Sequence, residues 1–124
     1  MTEASTTLQN EIEISKLRIT SEDEYLNRYV KENGDSVEKS PAYLLLKGEA
    51  SVLKHWFTTR NLDWLKRAKE IFDLYFDIKK NGQKEPIKIY NDMRINTGHK
   101  RAAVMLFMGC KKIKYEIVPD DYKL

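Results

Sequence analysis

The 124-residue sequence has a single cysteine, Cys110, which excludes an intrachain disulfide and a metal centre built on several thiolates. Its two histidines, His55 and His99, lie far apart with no metal-ligand spacing around either, so no metal site is expected from them. No run of about 18 apolar residues occurs, and no membrane partner is expected. Met1–Asn10 has neither the basic start nor the apolar stretch of an export signal, and with the lone thiol this makes the cytoplasm the expected location. No internal repeat or low-complexity linker divides the chain, and its length allows one hydrophobic core rather than two.

What the sequence does have is a 41% hydrophobic share beside 33% charged residues, the balance of a globular domain. The net charge of +3 is modest but unevenly placed. Residues 1–40 hold nine acids against five bases, whereas Arg94–Tyr115 holds six bases (Arg94, Lys100, Arg101, Lys111, Lys112, Lys114) and no acid. The basic end favours an anionic partner. For Lys111, Lys112 and Lys114, a solvated face that balances the acidic half is an equally good account.

Hydrophobic periodicity lays out the elements. Residues 1–10 are polar and aperiodic, a disordered tail by expectation. Glu11–Ile19 alternates and reads as a short strand followed by a turn, and Ser21 with Glu24 has capping-box spacing before a helix that stops at Asn33-Gly34. Ser40-Pro41 opens a short helix through Leu46, and Glu49–Thr59 carries a second apolar stripe beside His55, which reads as a packing or surface residue. From Asn61 to Lys80 runs the longest helix. Trp64, Ala68, Ile71, Tyr75 and Ile78 form its apolar row, with Leu65, Phe72 and Phe76 widening it into a broad core face, and Lys66/Glu70 and Lys69/Asp73 pair on the other side. A hairpin about Asn91-Asp92 follows Pro86, then a helix over His99–Met108, and then a closing strand through Ile113, Tyr115 and Ile117. The expected architecture is α/β: residues 11–124 as one domain, with a small mixed sheet, a long packing helix and a buried crossover helix.

The last helix poses the chemical question. It is apolar from Ala102 to Met108, so only its beginning can be polar, and there His99, Lys100 and Arg101 follow Thr97-Gly98. Free N–H groups and the macrodipole already make a helix start positive, and each cation placed there costs about 0.3–1 kcal/mol. A bound anion is the simplest offset, since a helix start behind a glycine turn suits phosphate. Gly98 allows close backbone approach, the amides around His99–Arg101 face the anion, Thr97 offers a hydroxyl, and Arg101 can grip bidentately.

These residues carry a family likeness. The run Pro86-Ile87-Lys88-Ile89, then Ile95-Asn96-Thr97-Gly98-His99-Lys100-Arg101-Ala102-Ala103, then Met108-Gly109 and Ile113–Val118, resembles the ParB/sulfiredoxin-like superfamily in order and spacing. The likeness covers residues 61–118, with Glu11–Ile19 as the family's first strand and residues 21–60 as a helical insertion. It implies a ParB/sulfiredoxin-like fold and a nucleotide-phosphate site at Thr97, Gly98, His99, Lys100 and Arg101. The implied ligand is a nucleoside triphosphate or diphosphate (ATP or CTP), with Mg²⁺ as a companion ion and phosphotransferase or nucleotidase chemistry as an associated activity. Thr97 stands where the family often has aspartate, which leaves the catalytic carboxylate unassigned among Glu11, Glu13 and Glu85. His99 stands where sulfiredoxins carry their reactive cysteine, which argues against sulfinic-acid reduction.

Two other readings belong beside this one. In the first, the domain binds or cleaves nucleic acid, with Arg94, Lys111, Lys112 and Lys114 on phosphates; no helix-turn-helix follows to make it a partition protein. In the other, the motif survives only as architecture of a structural or partner-binding domain.

Overall fold

The computed structural model describes residues 10–19 and 24–121. In chain order the elements are β1 (Glu11–Glu13), α1 (Glu24–Asn33), α2 (Pro41–Leu46), α3 (Ser51–Thr59), α4 (Trp64–Asn81), β2 (Ile87–Ile89), β3 (Ile95–Thr97), α5 (His99–Phe107) and β4 (Lys112–Ile117). Short 3₁₀ turns occupy Ile14–Lys16 and Val37–Lys39. The domain is α/β, with one mixed four-stranded sheet in the order β1-β4-β2-β3. β2 and β3 form the antiparallel hairpin, and β4 returns parallel to β2 with Ile87 opposite Tyr115 and Ile89 opposite Ile117. Parallel pairing requires a crossover, which β3 and α5 provide.

Local chemistry explains the helix boundaries. The buried Ser40 accepts a hydrogen bond from the Tyr43 amide at 3.2 Å, and Pro41 occupies the first turn of α2. Asp63 caps α4 through the Leu65 amide at 3.0 Å, and the Gly82 amide closes the far end on the Ile78 carbonyl. Such caps contribute about 1 kcal/mol each. α4 thus begins at Trp64 rather than Asn61, because Asn61 is left-handed (φ 57°) and the cap falls at Asp63.

The core is a single cluster. Ile87, Ile89, Ile95 and Ile113 of the sheet are fully buried, as are Ala102, Ala103 and Val104 of α5, and α2, α3 and α4 add Leu45, Leu53, Phe57 and Ile71. Each buried branched side chain contributes about 1.5–3 kcal/mol relative to exposure. α5 packs between α2 and α4, with small residues at its closest approach.

The short strand expected within Glu11–Ile19 spans Glu11–Glu13, and the turn after it is the 3₁₀ turn Ile14–Lys16, with Ile14, Leu17 and Ile19 buried. Two expectations fail here. On α4, Leu65 (62% exposed), Phe72 (40%) and Phe76 (62%) face solvent, because the helix has neighbours on one side only and the row through Ala68, Ile71 and Ile78 fills that contact. The Lys69–Asp73 pair forms at 2.7 Å, but Glu70 turns from Lys66 to Arg67 (3.2 Å) and Lys100 (3.6 Å). The Ser21 cap and residues 1–9 of the expected tail lie outside the described residues.

Candidate functional site

The end of β3 and the start of α5 are joined at Gly98, whose backbone is left-handed (φ 113°). A Cβ there would meet Ile87 Cγ2 at 2.4 Å, so the glycine is required by close packing of the helix start against β2 as well as by its dihedral. No side chain caps α5 and no acid lies in its first turn. The helix therefore presents its positive end with cationic side chains beside it.

That end forms one wall of an open cleft of about 660 Å³. Thr97, Gly98, His99, Lys100 and Arg101 all line it, so the five residues expected to act together are together. α4 forms the facing wall with Arg67, Glu70, Asp73 and Asp77. Three permanent cations (Arg67, Lys100, Arg101) thus share the cleft with three carboxylates. The acids recur every three or four residues, the spacing of one helix face, and span roughly 10 Å along the axis.

The carboxylates answer part of the charge problem at the helix start. Glu70 pairs with Lys100 at 3.6 Å. The Asp77 carboxyl is held below its ordinary value mainly by a hydrogen bond from Asn81 (2.9 Å); partial loss of water opposes this, and Lys84 at 3.4 Å and the charge of Arg101 reinforce it. Thr97 differs from expectation in one respect: its hydroxyl donates to Asn96 Oδ1 at 2.6 Å, and Asn96 donates in turn to the Tyr90 hydroxyl at 2.8 Å. This chain orients the end of β3 and engages the Thr97 proton. The acids considered from sequence, Glu11, Glu13 and Glu85, are not among the cleft residues.

A second, more enclosed cavity of about 240 Å³ adjoins the first and shares Arg67, His99 and Lys100 with it. Ile19, Leu26, Leu53 and Ile71 are among its apolar walls and Trp56 adds an aromatic one, with Ser40 as a polar member beside the shared cations. The Trp56 indole N–H is buried without a hydrogen-bond partner.

The four bases of the nucleic-acid reading are not brought together. Arg94, at the β2–β3 turn, donates to Asp92 at 2.7 Å and lies over the Tyr90 ring. Burial raises the Asp92 carboxyl, but hydrogen bonds from the Arg94 side chain and amide, with the charges of Arg94 and Arg18, leave it lowered overall. Lys112 and Lys114 stand in register with Glu13 and Glu11 of β1, at the other end of the sheet. Lys111 and Lys112 line one hollow with Cys110 and Glu13. Among the described residues no group of three or more metal-ligating side chains is placed to hold an ion by itself, and no helix is long and apolar enough to cross a membrane. His55 packs against Tyr25 with ring centroids 5.0 Å apart.

Sequence reasoning missed Arg67 and the acids of α4 as site residues. Their signal was present as a charged stripe at helical spacing, but nothing local to α4 says that α5 lies opposite. No family model, curated protein or solved structure matches the chain.

Proposed function

We propose that the cleft between α4 and the start of α5 binds the phosphate group of a nucleotide, as the likeness of Thr97–Ala103 to the ParB/sulfiredoxin-like superfamily implies. The observation that carries this reading is the convergence of Arg67, Lys100 and Arg101, from two helices, on the uncapped start of α5. Magnitudes favour displacement of the resident ion pair. The Lys100–Glu70 contact is long and partly exposed, with side chains 37% and 44% accessible, and such pairs contribute about 0–1 kcal/mol. A charge-assisted hydrogen bond from Lys or Arg to phosphate contributes about 1.5–3 kcal/mol.

The carboxylates then define the ligand more closely. A bare triphosphate is repelled by Glu70, Asp73 and Asp77. A phosphate carrying Mg²⁺ is not, because Mg²⁺ keeps most of its waters and is held by one or two carboxylates together with phosphate oxygens. ATP or CTP with Mg²⁺ is the ligand class this favours, and any phosphotransferase or nucleotidase chemistry would draw its acid from this row. The test is a thermal-shift panel of ATP, CTP, GTP and UTP and their diphosphates, with and without Mg²⁺, on wild type and Arg101→Ala. Stabilisation by at least one nucleotide, lost in the variant, supports the reading. No shift with any of them refutes it.

A further inference from the structure

We infer that the 240 Å³ cavity beneath Trp56 receives the base of the nucleotide, so that base and phosphate are read by two adjoining compartments sharing Arg67, His99 and Lys100; this rests on the phosphate reading above. Size is the first argument. A dry cavity of about 150 Å³ admits a benzene ring, so this one admits a substituted or fused ring but not a whole nucleotide. The phosphates must stay outside, and the neighbouring compartment is the cationic one.

The chemistry of the walls is the second argument. An apolar enclosure with a few polar groups selects a flat, weakly hydrated body and orients it. Ser40, only 3% exposed, accepts from the Tyr43 amide through Oγ and retains its hydroxyl hydrogen to donate. Arg67 and Lys100 add donors where the cavity meets the cleft. A ring nitrogen or carbonyl of a base satisfies such donors, whereas a hydrocarbon ring does not. The walls come from Ile19, beyond the turn that follows β1, from α1 to α4, and from α5, so residues 24–59 supply most of the enclosure.

The experiment separates the two compartments. Inorganic tripolyphosphate probes the phosphate cleft alone, and the four nucleoside triphosphates probe both, all with Mg²⁺ and in a Trp64→Phe background that leaves Trp56 as the only tryptophan. The expected result is at least tenfold tighter binding of one nucleotide than of tripolyphosphate, with a shift in Trp56 emission that tripolyphosphate does not produce. Ala42→Phe, which fills the cavity, should bring nucleotide affinity down to that of tripolyphosphate. Trp56→Leu, which replaces a flat ring of the cavity wall with an aliphatic group, should weaken nucleotide binding several-fold by calorimetry and leave tripolyphosphate unchanged, a result that stands even if Ala42→Phe does not fold. Equal affinity for tripolyphosphate and all four nucleotides, with Trp56 emission unmoved, overturns the base pocket and leaves the phosphate reading intact. Binding of neither overturns both, and binding of nucleotides without tripolyphosphate removes the phosphate cleft and with it the two-compartment reading.

Discussion

The two basic regions near the end of the chain have opposite fates. On β4, Lys112 and Lys114 stand in register with Glu13 and Glu11, so backbone pairing presents each lysine with an acid. At the start of α5, Lys100 and Arg101 face acids from a separate helix across an open cleft, and the one direct contact of Lys100, with Glu70, is 3.6 Å long. A charge matched by register is part of the fold. A charge matched loosely across a cleft can exchange its partner for a ligand, and this difference, more than the number of positive residues, is what supports the proposal of a phosphate site at α5.

The most severe way to break the comparison is Gly98→Ala, which strains a left-handed backbone and drives a Cβ to 2.4 Å from Ile87. A loss of about 2–5 kcal/mol in urea unfolding is expected, from about 1–2 for the dihedral and 1–3 for overpacking. Next in size, Arg67→Ala and Arg101→Ala should each weaken tripolyphosphate binding at least tenfold in calorimetry, while Lys112→Ala and Lys114→Ala change it less than twofold. Equal losses from both pairs would erase the distinction between the regions. Glu70→Gln sharpens it: freeing Lys100 should tighten Mg²⁺-free tripolyphosphate several-fold, and weaker binding would show that the acid holds the site together instead.

On the strand side, Lys114→Glu places like charges in register with Glu11 and should lower stability by about 0.2–1 kcal/mol, with recovery in the double variant carrying Glu11→Lys. The smallest effect is one of pH. The folded Asp92 carboxyl lies below its ordinary value of 3.8, so its contribution is complete above that pH and is lost as pH falls through the lowered value. The stability gap between wild type and Asp92→Asn should therefore be constant from pH 7 to 5 and close toward pH 3.

Much of this was legible in the chain. Ser40-Pro41, the α4 stripe ending at Asn81-Gly82, the hairpin about Asn91-Asp92 and the buried α5 all follow from local spacing and turn chemistry, and so does the gathering of Thr97–Arg101. What local pattern could not supply was which face of α4 meets a neighbour. Leu65, Phe72 and Phe76 belong to the same apolar arc as Ile71, and only packing leaves them outside. The same blindness hid Arg67 and the carboxylates, because pairing at i,i+4 and pairing across to α5 are equally open to a charged helix face until α5 is in place. The cavity under Trp56 assembles segments from Ile19 to Lys100 and has no local signature.

The burial of α5 has a consequence for motion. Ala102, Ala103 and Val104 are fully enclosed between neighbouring elements, so their amides have no small opening that would expose them, and they should exchange hydrogen only when the whole domain unfolds. The charged tip is continuous with that buried segment. Occupancy of the tip should therefore slow exchange along all of α5 and in the strands that share its core, spreading a local contact through the entire domain.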